Sequence, residues 1–393
     1  MGMWIGRGRK ARRCYGFDEV ALVPGSRTID PMEADTSWIL GDKKFSIPII
    51  AAAMDGVVDV RLAIEMSRLG GVGVLNLEGV QTRYEEPAEI IGQIIKAPIK
   101  EATSLIQSFY REPVKEELVS RRITEIKKSG AICAVSSIPQ KAERLGPIAV
   151  EAGADFFVVQ STVASVAHIS SRYKPLNLTD YCGRMKIPVI FGNCVTYEVA
   201  LQLMGTGTSA ILVGIGPGAA CTTREVLGIG VPQITATCDC AAARDFFYKT
   251  EGRYVPIITD GGMTGSGDIC KAIAAGADAV MVGSILARAQ EAPAQGFHWG
   301  MATSDENLPR GTRVSVGVTG TLKEILSGPA RVDDGSQNLV GALRTAMGSL
   351  GCRSLKEMQL VEIAIAPAIK TEGKIFQSAR KAAKLLPDAS ISE

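Results

Sequence analysis

The feature that most constrains this chain is an eightfold alternation of short apolar runs with amphipathic helical stretches. Apolar runs at 49–52, 72–75, 131–134, 155–159, 187–191, 209–213, 255–259 and 279–282 predict eight strands. Helical patterns at 60–69, 116–128, 197–204 and 268–275 fill gaps between them. Strands that read as unbroken apolar runs belong to a parallel sheet covered on both faces. Strand–helix alternation gives that parallel order, and eight units close it into an α/β fold, a (β/α)8 TIM barrel. An open, doubly wound sheet is the alternative. The barrel reading takes residues 1–393 as a single catalytic domain.

Two stretches are too long for plain strand-to-helix loops. Residues 78–115 come after the second strand. Residues 291–320 come after the eighth, contain Gly296, Gly300, Pro309 and Gly311, and read as a flexible flap. Residues 1–13 form a basic arm, read as mobile, without the apolar core of a secretory signal. Residues 366–393 form a C-terminal tail, Lys/Ala-rich and helical in pattern beyond residue 374.

Composition removes several classes of function. The chain has 43 Lys+Arg against 41 Asp+Glu, a net charge of +2, so no global basic field draws it to nucleic acid. No window reaches the ~18 apolar residues that span a bilayer. Neither nucleic acid nor membrane is an expected partner, and a cytoplasmic location is expected. Nine cysteines, an odd number and widely spread, argue for reduced thiols rather than a disulfide framework. Two histidines, His168 and His298, argue against a structural zinc site and against Ser–His or Cys–His catalysis.

A barrel of this kind carries its site at the carboxyl ends of its strands. Met54-Asp55 lies after the first strand, Gln160-Ser161-Thr162 after the fourth and Gly192-Asn193 after the fifth. The glycine-rich run from Gly214 to Arg224 lies after the sixth, Asp260-Gly261-Gly262 after the seventh and Gly283-Ser284 after the eighth. Glycines after strands seven and eight let backbone N–H groups approach a phosphate, and Ser284 adds a hydroxyl donor. Asp260, an anion, suits ribose hydroxyls instead. Together they suggest a nucleoside monophosphate; ordinary tight turns are the alternative. In the loop after strand six, glycines free carbonyls that can ligate a hard monovalent cation, and Cys221 is a nucleophile candidate.

These residues resemble the IMP dehydrogenase/GMP reductase family. The resemblance rests on Gly214 to Thr223 followed by Gly228-Ile229-Gly230-Val231-Pro232-Gln233-Ile234-Thr235-Ala236, and on Phe17-Asp18-Glu19-Val20-Ala21-Leu22-Val23-Pro24. Ala52-Ala53-Met54-Asp55, Gly70-Gly71-Val72-Gly73, Asp260-Gly261-Gly262 and Gly283-Ser284 add to it. It covers nearly the whole chain and is closest to the dehydrogenase-like branch without the paired CBS (Bateman) domains, for which 78–115 is too short.

The resemblance implies that Cys221 attacks C2 of IMP, that NAD takes the hydride and that water releases XMP from a thioimidate. It assigns Thr223 to water orientation. It implies that Met54, Asn193, Gly218, Asp260, Gly262, Gly283 and Ser284 hold the substrate, with Gly300 and Met301 reading the purine edge. Gln160, Ser161, Asn193, Gly214 and Gly216 would meet NAD. Gly216, Gly218, Cys221, Glu372 and Gly373 would hold K+, the last two from a neighbouring subunit, in a homotetramer or an octamer.

Several positions depart from the family pattern. Gln160 stands where the family has an Asp, Ala219 where it has a Ser, and Leu212 where it has a basic residue. His298-Trp299 replaces a Tyr-Arg pair, and the flap lacks the Arg-Tyr pair that activates water. Arg310 occupies the place of a Glu and becomes a candidate for that role, or for a simple hydrogen bond to the base. Three readings stand: IMP dehydrogenase with NAD, GMP reductase with NADPH, and a catalytically silent purine-nucleotide-binding protein.

Overall fold

The structure, a computed structural model, describes residues 2–300 and 312–367. At its centre eight parallel strands close into a barrel. They are β1 (Ile49–Ala51), β2 (Val72–Asn76), β3 (Ala134–Ser137), β4 (Phe156–Gln160), β5 (Val189–Cys194), β6 (Ala210–Val213), β7 (Ile257–Asp260) and β8 (Ala279–Val282). Each pairs with the next, and β8 closes on β1 with Val280 opposite Ile49 and Val282 opposite Ala51. The expected barrel is therefore the observed one.

One strand needs correction. The third lies at Ala134–Ser137, not at 131–134. The apolar run Ala131-Ile132-Cys133 is the approach to the strand, held by Phe156 N–H donating to the Cys133 carbonyl at 3.2 Å. The strand itself ends in Ser136 and Ser137, both buried despite their hydroxyls. A polar residue inside a barrel breaks the apolar run by which such strands are found.

The outer layer includes α1 (Val60–Arg68), α2 (Pro87–Lys96), α3 (Ile99–Phe109), α4 (Glu116–Lys128), α5 (Pro139–Glu151), α6 (Leu178–Arg184), α7 (Tyr197–Gly205), α8 (Thr223–Leu227), α9 (Gln233–Glu251) and α10 (Ser266–Ala274). In α4, Leu118, Val119, Ile123 and Ile126 bury one stripe. Its first turn is acidic and its last basic, which complements the helix dipole. Asp59 caps α1 by accepting from Leu62 N–H at 2.8 Å.

A hairpin of strands Trp38–Leu40 and Lys43–Phe45 covers the amino end of the barrel. Trp38 stacks on Phe45 at 5.2 Å, and Phe45 meets Phe156, the first residue of β4, at 6.1 Å. The opposite mouth is left for a ligand. The insertion after β2 carries α2 and α3, whose Ile91, Ile94 and Ile106 form a second small core with Val80, Tyr110 and Trp299. Trp299 ends the strand Phe297–Trp299, which pairs antiparallel with Arg313–Ser315.

Residues of the basic arm form an exposed antiparallel pair, Met3–Gly6 with Arg9–Ala11, and Arg12 reaches Asp239 of α9 at 2.7 Å. Behind the barrel, Asp278 accepts from Arg244 Nη1 at 3.0 Å, Tyr254 at 2.7 Å and the Ile257 N–H at 2.8 Å, and it also meets Lys356. Burial opposes its ionisation, but Arg244 and Lys356 outweigh that and hold its carboxyl below the usual value. All nine cysteines are free thiols. Among the described residues, no helix is long and apolar enough to cross a membrane.

Candidate active site

A cavity of about 880 Å³ opens at the carboxyl ends of the strands. Its wall contains Cys221 and Thr223, Met54, Asn193, Gly218, Asp260, Gly262, Gly283, Ser284 and Gly300, and Gln160, Ser161, Gly214 and Gly216. Residues drawn from six strand ends thus meet in one place. Met301, Arg310, Glu372 and Gly373 lie outside the described residues.

The floor is a polar triad. Asn193, near the end of β5, donates from Nδ2 to Asp260 Oδ2 at 2.8 Å. Gln160, ending β4, donates from Nε2 to the same oxygen at 3.0 Å and to Asn193 Oδ1 at 3.1 Å. Burial raises the Asp260 carboxyl from 3.8 to about 6, against these two donors, which favour its ionised form. Both amides bind Oδ2, so Oδ1 is the acceptor left to face a ligand. Gln160 is therefore a structural partner of the carboxylate. An Asp at that position would set two like charges together.

The loop after β6 is pinned at both ends by α8. Arg224 donates from Nε to the Ile215 carbonyl at 3.0 Å and from Nη2 to the Val231 carbonyl at 2.8 Å. Gln233, opening α9, donates to the Val213 carbonyl at 2.6 Å. Gly214 has φ +146°, and a Cβ there would lie 2.3 Å from the Asp260 carbonyl oxygen, so the residue must be glycine. Within this frame Cys221 is exposed, and its Sγ is 3.2 Å from Thr223 Oγ1. The Cys221 N–H donates to the Gly218 carbonyl at 3.0 Å.

On the far wall Ser284, two residues beyond β8, has its Oγ 3.0 Å from His298 Nε2. His298 is buried, and burial pushes its imidazole down to about 4, so the ring is neutral. Behind it, Trp299 Nε1 donates to Tyr110 at 3.4 Å, and the Tyr110 hydroxyl donates to the buried carboxylate of Asp55. Asp55 also accepts from Val80 N–H at 2.8 Å.

The cavity extends into a lobe whose residues sequence reasoning missed. Glu78, beyond β2, is buried, accepts from Ile138 N–H at 2.6 Å and pairs with Lys141 of α5 at 2.8 Å. Arg83, Arg111 and Arg144 line the same part of the cavity. Glu78 carries a usable signal, since it stands two positions past the end of β2, at the rim where barrel sites form. Lys141 carries none, because the sequence pattern places no helix over Pro139–Glu151.

The arrangement suits a barrel enzyme that binds a nucleotide and works through a thiol. Comparison with known proteins makes the class specific. The IMP dehydrogenase/GMP reductase domain model matches residues 14–374. An uncharacterized oxidoreductase of Mycolicibacterium smegmatis is 40% identical over 370 residues, covering 92% of this chain and 99% of that protein. The inosine-5'-monophosphate dehydrogenase of Cryptosporidium parvum is 32% identical over 372 residues, covering 87% of this chain and 89% of that protein. The crystal structure of an IMP dehydrogenase/GMP reductase-like protein from Corynebacterium glutamicum aligns with a TM-score of 0.87 at 38% identity, over 92% of this chain and 97% of that one. The chain belongs to the IMP dehydrogenase/GMP reductase family and is an oxidoreductase of that family.

Proposed function

We propose that the protein is an IMP dehydrogenase, oxidising IMP to XMP with NAD through a covalent bond to Cys221. The observation that carries this reading is the meeting of Cys221 and Thr223 with Asp260, Asn193 and Ser284 around one cavity. Ser284 and the glycine turns would receive the 5′-phosphate, and Asp260 the ribose hydroxyls, which leaves the base toward Cys221. The Cys221 thiol releases its proton to solvent, and the sulfur bonds to C2 of the ring as the C2 hydrogen departs as hydride. Bound NAD would accept that hydride. Water then adds at C2, the sulfur–carbon bond breaks, XMP is released, and a proton from that water restores the thiol. Thr223, beside Sγ, would orient that water, and Arg310 is the flap candidate for activating it.

The residues fit a dinucleotide. A cavity of about 880 Å³ is near the upper end for a ligand site and exceeds what one monophosphate fills. Gln160, Ser161, Asn193, Gly214 and Gly216 supply amides, a hydroxyl and backbone groups along the wall next to Cys221. The potassium reading rests on loop carbonyls. Gly218 already accepts from Cys221 N–H, and one lone pair of that oxygen is left for a cation. The reading includes a cytoplasmic homotetramer, with an octamer as the larger assembly.

One observation favours the second reading. Arg83, Arg111, Lys141 and Arg144 in the far lobe suit a more highly phosphorylated dinucleotide, as in a GMP reductase with NADPH. Nicotinamide absorbance separates the two. Protein with IMP, NAD and potassium should show NADH forming, and Cys221→Ala should abolish it. Loss of NADPH with GMP instead would make the enzyme a reductase. Binding of IMP without either change would leave a silent binding protein. Unchanged rates with a large organic cation in place of potassium would remove the cation site.

A further inference from the structure

Ser284 is a useful phosphate ligand only if its hydroxyl hydrogen points into the cavity. A serine hydroxyl has one hydrogen and two lone pairs, so its partners decide which it offers. Its neighbour is His298, in the middle of the strand Phe297–Trp299, with Nε2 3.0 Å from Ser284 Oγ. The ring is 1% exposed, and its other nitrogen, Nδ1, is buried without a partner among the described residues. The backbone there cannot retreat: a Cβ on Gly56 would lie 2.8 Å from the Phe297 carbonyl oxygen and 3.0 Å from the His298 Cα.

A neutral imidazole carries one proton, on Nδ1 or on Nε2. On Nδ1 it would be a buried N–H with no acceptor, a rare and costly state. On Nε2 it leaves only an unpaired lone pair on Nδ1, which costs less. Nε2–H then donates to Ser284 Oγ, and the serine hydrogen cannot turn back toward the ring. The opposite tautomer would take the serine hydrogen for itself and show only lone pairs to an incoming anion.

We propose that His298 is a positioning residue that fixes Ser284 as a hydrogen-bond donor to the 5′-phosphate of the substrate. The inference rests on the nucleoside monophosphate reading of this site and deepens it. His298 does not touch the reacting atoms. It sets the direction of one hydrogen bond, and that direction favours a phosphate over a neutral or cationic group.

Two measurements test it on the whole chain. The chain has only two histidines, so ¹⁵N-histidine labelling gives two pairs of ring-nitrogen signals, and His168→Gln assigns them. The His298 ring should be the Nε2–H tautomer near neutral pH; the Nδ1–H tautomer would overturn the proposal. The second measurement is calorimetric binding of IMP and of inosine, which lacks the phosphate. His298→Phe should weaken IMP about tenfold, the scale of one hydrogen bond to a charged group, and leave inosine unchanged. His298→Gln, which can donate to Ser284 from its amide, should restore most of the IMP affinity.

A parallel loss for IMP and inosine, or no loss for either, would overturn the positioning role. A parent protein that binds inosine as tightly as IMP would overturn the phosphate assignment itself, and the inference with it.

Discussion

Replacing Asp260 by Asn should make the ligand-free protein more stable while it ruins the site. Folding raises the Asp260 carboxyl from its ordinary 3.8 to about 6, chiefly by burial. A group whose pKa rises on folding costs stability as pH climbs from its unfolded to its folded value. One unit of difference is worth ~1.4 kcal/mol, so the full cost is about 3 kcal/mol near pH ~8 and about 0.6 kcal/mol near pH ~4. The carboxylate faces an open cavity, and solvent there reduces the figure at high pH to about 1–2 kcal/mol. An amide oxygen in place of Oδ2 still accepts from Asn193 and Gln160, so little is lost in exchange. The expected gain is about 1–3 °C in Tm near pH ~8 for a chain of this length, shrinking toward zero near pH ~4. Thermal unfolding of both proteins across that range measures it. Activity should fall sharply, because the substituted amide turns an NH2 toward hydroxyls that need an acceptor. An Asp260→Asn variant no more stable than the parent at high pH, or with the same advantage at low pH, would refute the reasoning.

Two further substitutions probe the same structure. Gln160→Asp places a second carboxylate about 4–5 Å from Asp260, a repulsion of about 3–4 kcal/mol at an effective dielectric near ~20. Denaturant unfolding should show this loss near pH ~8 and little of it near pH ~5, where the pair holds a proton. Asp278→Ala takes away the buried carboxylate that Arg244 faces, leaves it the more exposed Asp245 and the Gly276 carbonyl, and should cost about 2–3 kcal/mol in chemical denaturation. Saturating IMP should leave that loss unchanged, because Asp278 lies outside the cavity wall.

Most of the barrel is legible in the sequence because the residues that build it are apolar on every side. Ile49–Ala51 and Ala279–Val282 can be read as strands with no knowledge of their neighbours. Ala134–Ser137 cannot, since its serines are tolerated only by the interior they happen to enter. The site divides in the same way. Glycine turns and Cys221 announce themselves locally. The partnership of Glu78 with Lys141, of Tyr110 with Asp55 and of His298 with Ser284 depends on chain segments that meet only after folding. Gln160 stands out in the sequence as an unusual residue, but its bond to Asp260, 100 positions away, gives the substitution its meaning.

The paired strands Phe297–Trp299 and Arg313–Ser315 bear on how this region can diverge among relatives. Trp299 sits opposite Arg313, and each is tied down, Trp299 to Tyr110 and Arg313 to the Ile95 carbonyl at 2.8 Å. The two ends of the intervening segment are thus already brought together by the fold. The entropy of closing a chain between fixed ends grows only with the logarithm of its length, ~0.6 kcal/mol per doubling. A change in the length of the chain between Trp299 and Arg313 is therefore cheap for the closure of this strand pair.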